Sequence, residues 1–108
     1  MTVRSALGRG RLTFKSGVVC DLTLVEVTEE HLIVRARSVS ATSGLDLVSI
    51  APTAEDESGG VYRFFSASTG GGAVSDVVEW VYQRPDGHDP KTVTVTSDTL
   101  DAITVQFD

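Results

Sequence analysis

The chain has 108 residues, 41% of them hydrophobic and 22% charged, with a formal net charge of -6. That length holds one domain, spanning residues 1–108. The balance is that of a folded globular chain and excludes a disordered or collagen-like one. No apolar run approaches the roughly 20 residues that span a bilayer. Residues 1–10 also lack the apolar stretch of a secretory signal. A single cysteine, Cys20, excludes an internal disulfide and a cysteine-rich zinc site. Val, Thr and Ile make up 31 of the 108 residues, a bias toward pleated, half-buried strands.

Residues 1–10 carry Arg4 and Arg9 and end in Gly8 and Gly10, which suggests a flexible basic arm. Arg11–Phe14 alternates as a short strand, and Lys15-Ser16-Gly17 reads as a hairpin turn. Val18–Thr28 is a long strand. Its apolar side switches after Leu24, the mark of a bend or bulge. Leu32–Val39 alternates cleanly, Ser40–Gly44 is a polar loop, and Leu45–Ile50 reads as a further strand. Pro52–Gly60, with the acid run Glu55-Asp56-Glu57, has the composition of a solvated mobile loop. Val61–Ser66 is a strand and Ala67–Gly72 a glycine-rich loop.

Ala73–Arg84 breaks the strand alternation. Val74, Val77, Val78, Val81 and Tyr82 fall at helical spacing, with Ser75 as N-cap and Pro85 as stop. The spacing predicts a short amphipathic helix over 74–84. The poor helix propensity of four valines and two aromatics keeps a strand as the alternative. Pro85-Asp86-Gly87 is a turn, and Lys91–Ser97 and Ala102–Asp108 form a C-terminal hairpin. The fold class is mainly β: a barrel or sandwich of about seven antiparallel strands with one helix, or else all-β. The expected core includes Leu12, Phe14, Leu22, Leu24, Leu32, Val34, Leu47, Ile50, Phe64, Val78, Val81, Val93, Val95, Ile103 and Val105. The run Arg11–Ile50 resembles small SH3-like or Sm-like barrels in its order of short strand, glycine turn, long bent strand, tight turn and strand. The diagnostic Sm motifs are missing, and the resemblance implies no more than a barrel.

No catalytic, cofactor or metal set emerges. Cys20 sits mid-strand and reads as a core thiol, and no nucleophile elbow is present. Asp86, His88 and Asp89 crowd three cation donors into four residues, but Asp, Gly and Pro are also what a reverse turn needs. The Gly70–Gly72 loop lacks Walker spacing and a following lysine. Nucleic acid is disfavoured by the charge.

The charge is uneven. Residues 1–54 are net +1, residues 55–108 net -7, and the first fifteen alone +4. This asymmetry suggests that a basic arm meets an acidic surface of another copy. The candidate interface residues are Arg4, Arg9, Arg11, Asp98, Asp101 and Trp80. The sequence therefore leads to an expectation of a non-enzymatic assembly protein, cytoplasmic or virion-associated. Its partners would be copies of itself or virion proteins, as for a phage head–tail connector, tail-completion or decoration protein. The alternative is a small acidic inhibitor, such as an immunity, antitoxin or anti-defence protein, that occupies a basic partner site.

Overall fold

The computed structural model describes residues 3–70 and 74–107. Among them, the order is β1 (Arg4–Leu7), β2 (Arg11–Thr13), β3 (Val19–Val27), β4 (His31–Ser43), α1 (Gly44–Ser49), β5 (Thr53–Asp56), β6 (Val61–Thr69), β7 (Val74–Gln83), β8 (Thr92–Thr96) and β9 (Ala102–Gln106). The strands form one antiparallel sheet ordered β1–β3–β4–β7–β6–β5–β8–β9. β2 continues β1 along the same edge of β3. The sheet curls until β9 returns beside β1 and β2, which makes a nearly closed barrel with one short helix. Among the described residues no helix is long and apolar enough to cross a membrane.

Curvature comes from bulges, which bend a strand and raise its twist. The register slips between Leu22 and Leu24 in β3, between Arg37 and Thr42 in β4, and between Phe64 and Ser66 in β6. The β3 bulge lies where the apolar side switches in the sequence. Cys20 and Leu22 face the core before it, Val25 and Val27 after it. β6 changes partner along its length: Val61 and Tyr62 pair with β5, Arg63–Thr69 with β7.

The helix is not where the spacing put it. Residues 74–83 are strand β7, held between β4 and β6, and its inward set is Val78, Trp80 and Tyr82 at period two. Val77 and Val81 lie on the outer side, half-buried or more exposed. A strand in the middle of a sheet, apolar on both faces, imitates helical spacing, and here β propensity decided the outcome. The helix forms instead at Gly44–Ser49, where a strand was expected. Its Leu47 is fully buried over β7 while Leu45 is 76% exposed. So short a helix leaves its last carbonyls without an intrahelical donor. The Trp80 Nε1–H fills that need by donating to the Leu47 carbonyl at 3.0 Å.

Two further expectations change. Pro52–Gly60 is no mobile loop, since it contains β5 and a turn closed by Gly59 N–H to Asp56 O at 3.1 Å. Residues Arg4–Leu7 are a paired strand, not part of a flexible arm. The core contains Leu12, Leu32, Val34, Val93 and Val95 as expected. It also contains Tyr62, Trp80, Tyr82 and Phe107, while Leu24, Ile50, Val81 and Ile103 are only partly buried and Phe64 is 50% exposed.

Trp80 is fully buried, its ring 6.2 Å from that of Phe14. Replacing it with alanine should cost about 3–5 kcal/mol through the cavity left behind. Trp80→Phe should cost less, losing some volume and the bond to Leu47. Urea unfolding of the two variants checks this order.

Candidate functional site

Residue by residue, the expected interface set falls into three groups. Trp80 is core and presents no surface. Arg9 is exposed in the turn between β1 and β2. The other four make contacts within the chain. Arg4 donates to Asp89 and lies 5.7 Å from the Phe107 ring centroid. Arg11 forms a fork with Asp21 at 2.8 and 3.3 Å. Asp101 accepts the Thr13 N–H at 2.9 Å, and Asp98 accepts the Lys15 N–H at 2.8 Å. Thr99 adds a bond from its hydroxyl to the Thr13 carbonyl at 2.6 Å. The basic start of the chain therefore meets the acidic half of the same molecule, along the seam where the barrel closes.

Next to that seam lies a groove of about 790 Å³, at the end of the barrel where the β3–β4 turn meets the segment after β7. Asp89 belongs to both groove and seam. Glu29, Glu30 and Asp86 give the groove an acidic rim, with Arg63 and Val61 on the β6 side. Phe65, the bulged residue of β6, stands 59% exposed beside it, its ring 5.4 Å from that of His31. Arg84 holds the floor together. It donates to the Thr28 carbonyl at 2.6 Å and to the His88 carbonyl, and lies 3.7 Å from Asp89.

Under the groove is a carboxylate that in the sequence looks like part of a solvated charge run. The Asp56 side chain is 1% exposed. Its Oδ1 accepts Ser58 N–H at 3.0 Å, Ser58 Oγ–H at 2.8 Å and Gly60 N–H at 2.9 Å. Its Oδ2 accepts the Tyr62 hydroxyl at 3.1 Å and meets His88 Nδ1 at 2.8 Å. Burial opposes its charge, but the bonds from His88, Ser58 and Gly60 outweigh burial and hold the carboxyl well below the usual carboxylate range. Burial, then the neighbouring Asp56 carboxylate, pushes the Tyr62 hydroxyl far above its ordinary value. Gly60 has to be glycine here, because a Cβ would collide with the His88 ring.

Ser58, His88 and Asp56 do not form a nucleophilic relay. A relay sets the acid on one imidazole nitrogen and the nucleophile on the other. Here Asp56 at 2.8 Å and Ser58 Oγ at 3.4 Å both face Nδ1, and Ser58 donates to Asp56. The cluster ties the β5–β6 turn to the segment carrying His88. Glu57 adds to this by accepting the Lys91 and Thr92 N–H groups. The three donors Asp86, His88 and Asp89 are drawn apart, with His88 on Asp56 and Asp89 on Arg4. Among the described residues no group of three or more His, Cys, Asp or Glu side chains is placed to hold a metal ion. Cys20 is fully buried, and burial followed by Asp21 pushes its thiol up to about 11. Of the Gly70–Gly72 loop, Gly71 and Gly72 lie outside the described residues.

The Asp56 cluster is illegible in the sequence. Its one signal is an acid two residues before a serine and four before a glycine, the spacing of a side-chain-closed turn. Comparison with known proteins finds no matching family model, curated protein or solved structure.

The sign of the acid response is set by Asp56. Its carboxyl titrates below its ordinary value near 3.8. The stability it contributes is complete above that value and is lost as pH falls below it. Asp56→Asn should lower stability at neutral pH by about 2–4 kcal/mol. It should also flatten the decline of stability below pH 4, as read from urea midpoints across a pH series.

Proposed function

We propose that the protein is a non-enzymatic assembly module that works in multiple copies through protein–protein contacts. A small phage virion component, such as a head–tail connector, tail-completion or decoration protein, is the setting this reading favours. The observation that supports it most is the grouping of exposed apolar side chains on one strand. Val61 and Phe65 of β6 are 63 and 59% exposed at the groove, and Phe64, 50% exposed, lies on the other side of the strand against Tyr82. Large apolar patches on a small domain mark contact surfaces. Among the described residues Arg63–Thr69 also has no strand on its β5-facing edge, the kind of edge a partner strand can extend, although α1 packs against β6.

The acidic rim of Glu29, Glu30 and Asp86 favours a second reading, an acidic inhibitor seated on a basic partner site. The two readings differ in stoichiometry. On the first, light scattering across protein concentration should give a mass above one chain, and Phe65→Lys should lower it. A strict monomer at every concentration, at low and high salt, removes the first reading. One-to-one binding to a basic protein, weakened by salt and by Glu29→Lys with Glu30→Lys, would establish the second.

A further inference from the structure

The first strand of the barrel is its least embedded one. Alone among the described strands, β1 has no buried residue: Arg4 and Ala6 are half-buried, Ser5 exposed, and Leu7 77% exposed. It pairs with β3 on one edge only. Its other edge faces β9 across an open gap of about 480 Å³ lined by Ser5, Ala6, Leu7, Thr104 and Gln106. An element with few buried contacts and an unpaired edge detaches at low cost compared with the rest of the fold.

The next strand, by contrast, is firmly held. Leu12 of β2 is fully buried, and Thr13 is bonded to Asp101 and Thr99. Between the two strands lies Gly8-Arg9-Gly10. Gly8 lies so close to Leu22 that a Cβ would meet its backbone at 2.6 Å, and Gly10 has φ +102°. Both glycines are needed for the closed arrangement. Gly8 N–H donates to the Thr23 carbonyl at 2.8 Å and the Gly10 carbonyl accepts Leu22 N–H at 3.1 Å, so β1 swings out only when the Gly8 bond is released, and glycine's access to either side of φ lets the chain turn there. β1 is thus a short, lightly held strand on a glycine hinge next to an anchored one.

Its seat is specified by charge. Arg4 pairs with Asp89, whose side chain is 81% exposed and so reachable from outside, and it rests over the Phe107 ring. An identical strand from another molecule would find the same β3 edge, the same carboxylate and the same ring.

We infer that β1 is an exchangeable strand: Arg4–Leu7 of one copy pairs with β3 of a second copy, and the chain associates by swapping its first strands. This inference rests on the multi-copy reading and adds a second contact between the copies, separate from the β6 side chains. Every contact of β1 is the same in the closed and the exchanged form. The balance between them is therefore set by the hinge and by protein concentration.

Complementary charge variants test it. Arg4→Glu places a carboxylate against Asp89, and Asp89→Arg places a guanidinium against Arg4. Each variant alone carries the clash in both its closed and its exchanged form. In a heterodimer of the two, one seat joins the introduced carboxylate to the introduced guanidinium, and the other keeps the native pair of Arg4 and Asp89. Refolded together from urea, the two should give heterodimer in about tenfold excess over either homodimer, as read by native mass spectrometry. A second pair guards against poor folding of the charge variants. Ser5 lies opposite Glu26 in the β1–β3 ladder, so Ser5→Cys and Glu26→Cys chains refolded together should form a disulfide-linked dimer on mild oxidation. Cys20 is buried and does not compete. If wild type is heavier than a monomer but neither mixture gives a mixed dimer, exchange is wrong and the copies meet elsewhere. If wild type stays monomeric and neither mixture associates, the multi-copy reading falls together with the exchange.

Discussion

A sheet in this strand order has to close between β2 and β9, and among the described residues no ladder spans that join. The turn after β8 closes it instead, through three hydrogen bonds made by its side chains: Asp101 accepts Thr13 N–H, Asp98 accepts Lys15 N–H, and the Thr99 hydroxyl donates to Thr13 O. The turn that presents them is tightly drawn. Ser97 N–H bonds to Asp101 O at 2.9 Å and Leu100 N–H to Ser97 O at 3.0 Å. Leu100 sits at φ 72°, a conformation that costs a non-glycine residue about 1 kcal/mol. The closure completes the barrel around one core that contains Leu12 and Phe14 together with Val93, Val95 and Phe107.

The same chemistry recurs on the far side. Asp56 accepts two backbone N–H groups at the β5–β6 turn, and Glu57 accepts two at the start of β8. Carboxylates are strong acceptors for loop amides, since a charged acceptor strengthens each bond. Much of the acidity after residue 54 therefore has a structural use. Asp56, Glu57, Asp98 and Asp101 hold turns, Glu79 pairs with Arg35, and Asp89 pairs with Arg4. Asp86, from the same half of the chain, lies at the groove, where Glu29 and Glu30 of the β3–β4 turn join it.

How far the sequence can be read depends on the range of the interactions involved. Strands with one wet face are legible: Leu32–Val39 and Lys91–Ser97 follow from alternation alone, and the switch read after Leu24 marks the bulge found between Leu22 and Leu24. The segment 74–83 is ambiguous because its outer side carries Val77 and Val81 beside Glu79 while its inner side is apolar, so spacing carries little information. The helix at Gly44–Ser49 escapes a reading by pattern because a single turn has almost no periodicity of its own. It is fixed by Leu47 packing and the Trp80 N–H, a contact 33 residues away. Asp56 is hidden for the same reason. A lone acid in an acid run looks solvated until Tyr62 and His88 are brought to it by the fold.

Charge asymmetry along the chain suggests that the basic beginning of one copy meets the acidic half of another. Lys15 meets Asp98 through its backbone N–H, whereas Arg4 on Asp89 is such a match within one molecule. That does not make it any less a recognition surface. A pair that forms within a chain forms equally well between two chains once the intervening segment allows it, and Gly8-Arg9-Gly10 is such a segment. The two basic stretches differ in this respect. Lys15 follows a strand with a fully buried leucine, so its contact stays within the chain. Arg4 sits on a strand with nothing buried, so its contact is the one free to change partners. The charge pattern thus gives β1 its destination, and the shallow burial of β1 leaves open which molecule supplies it.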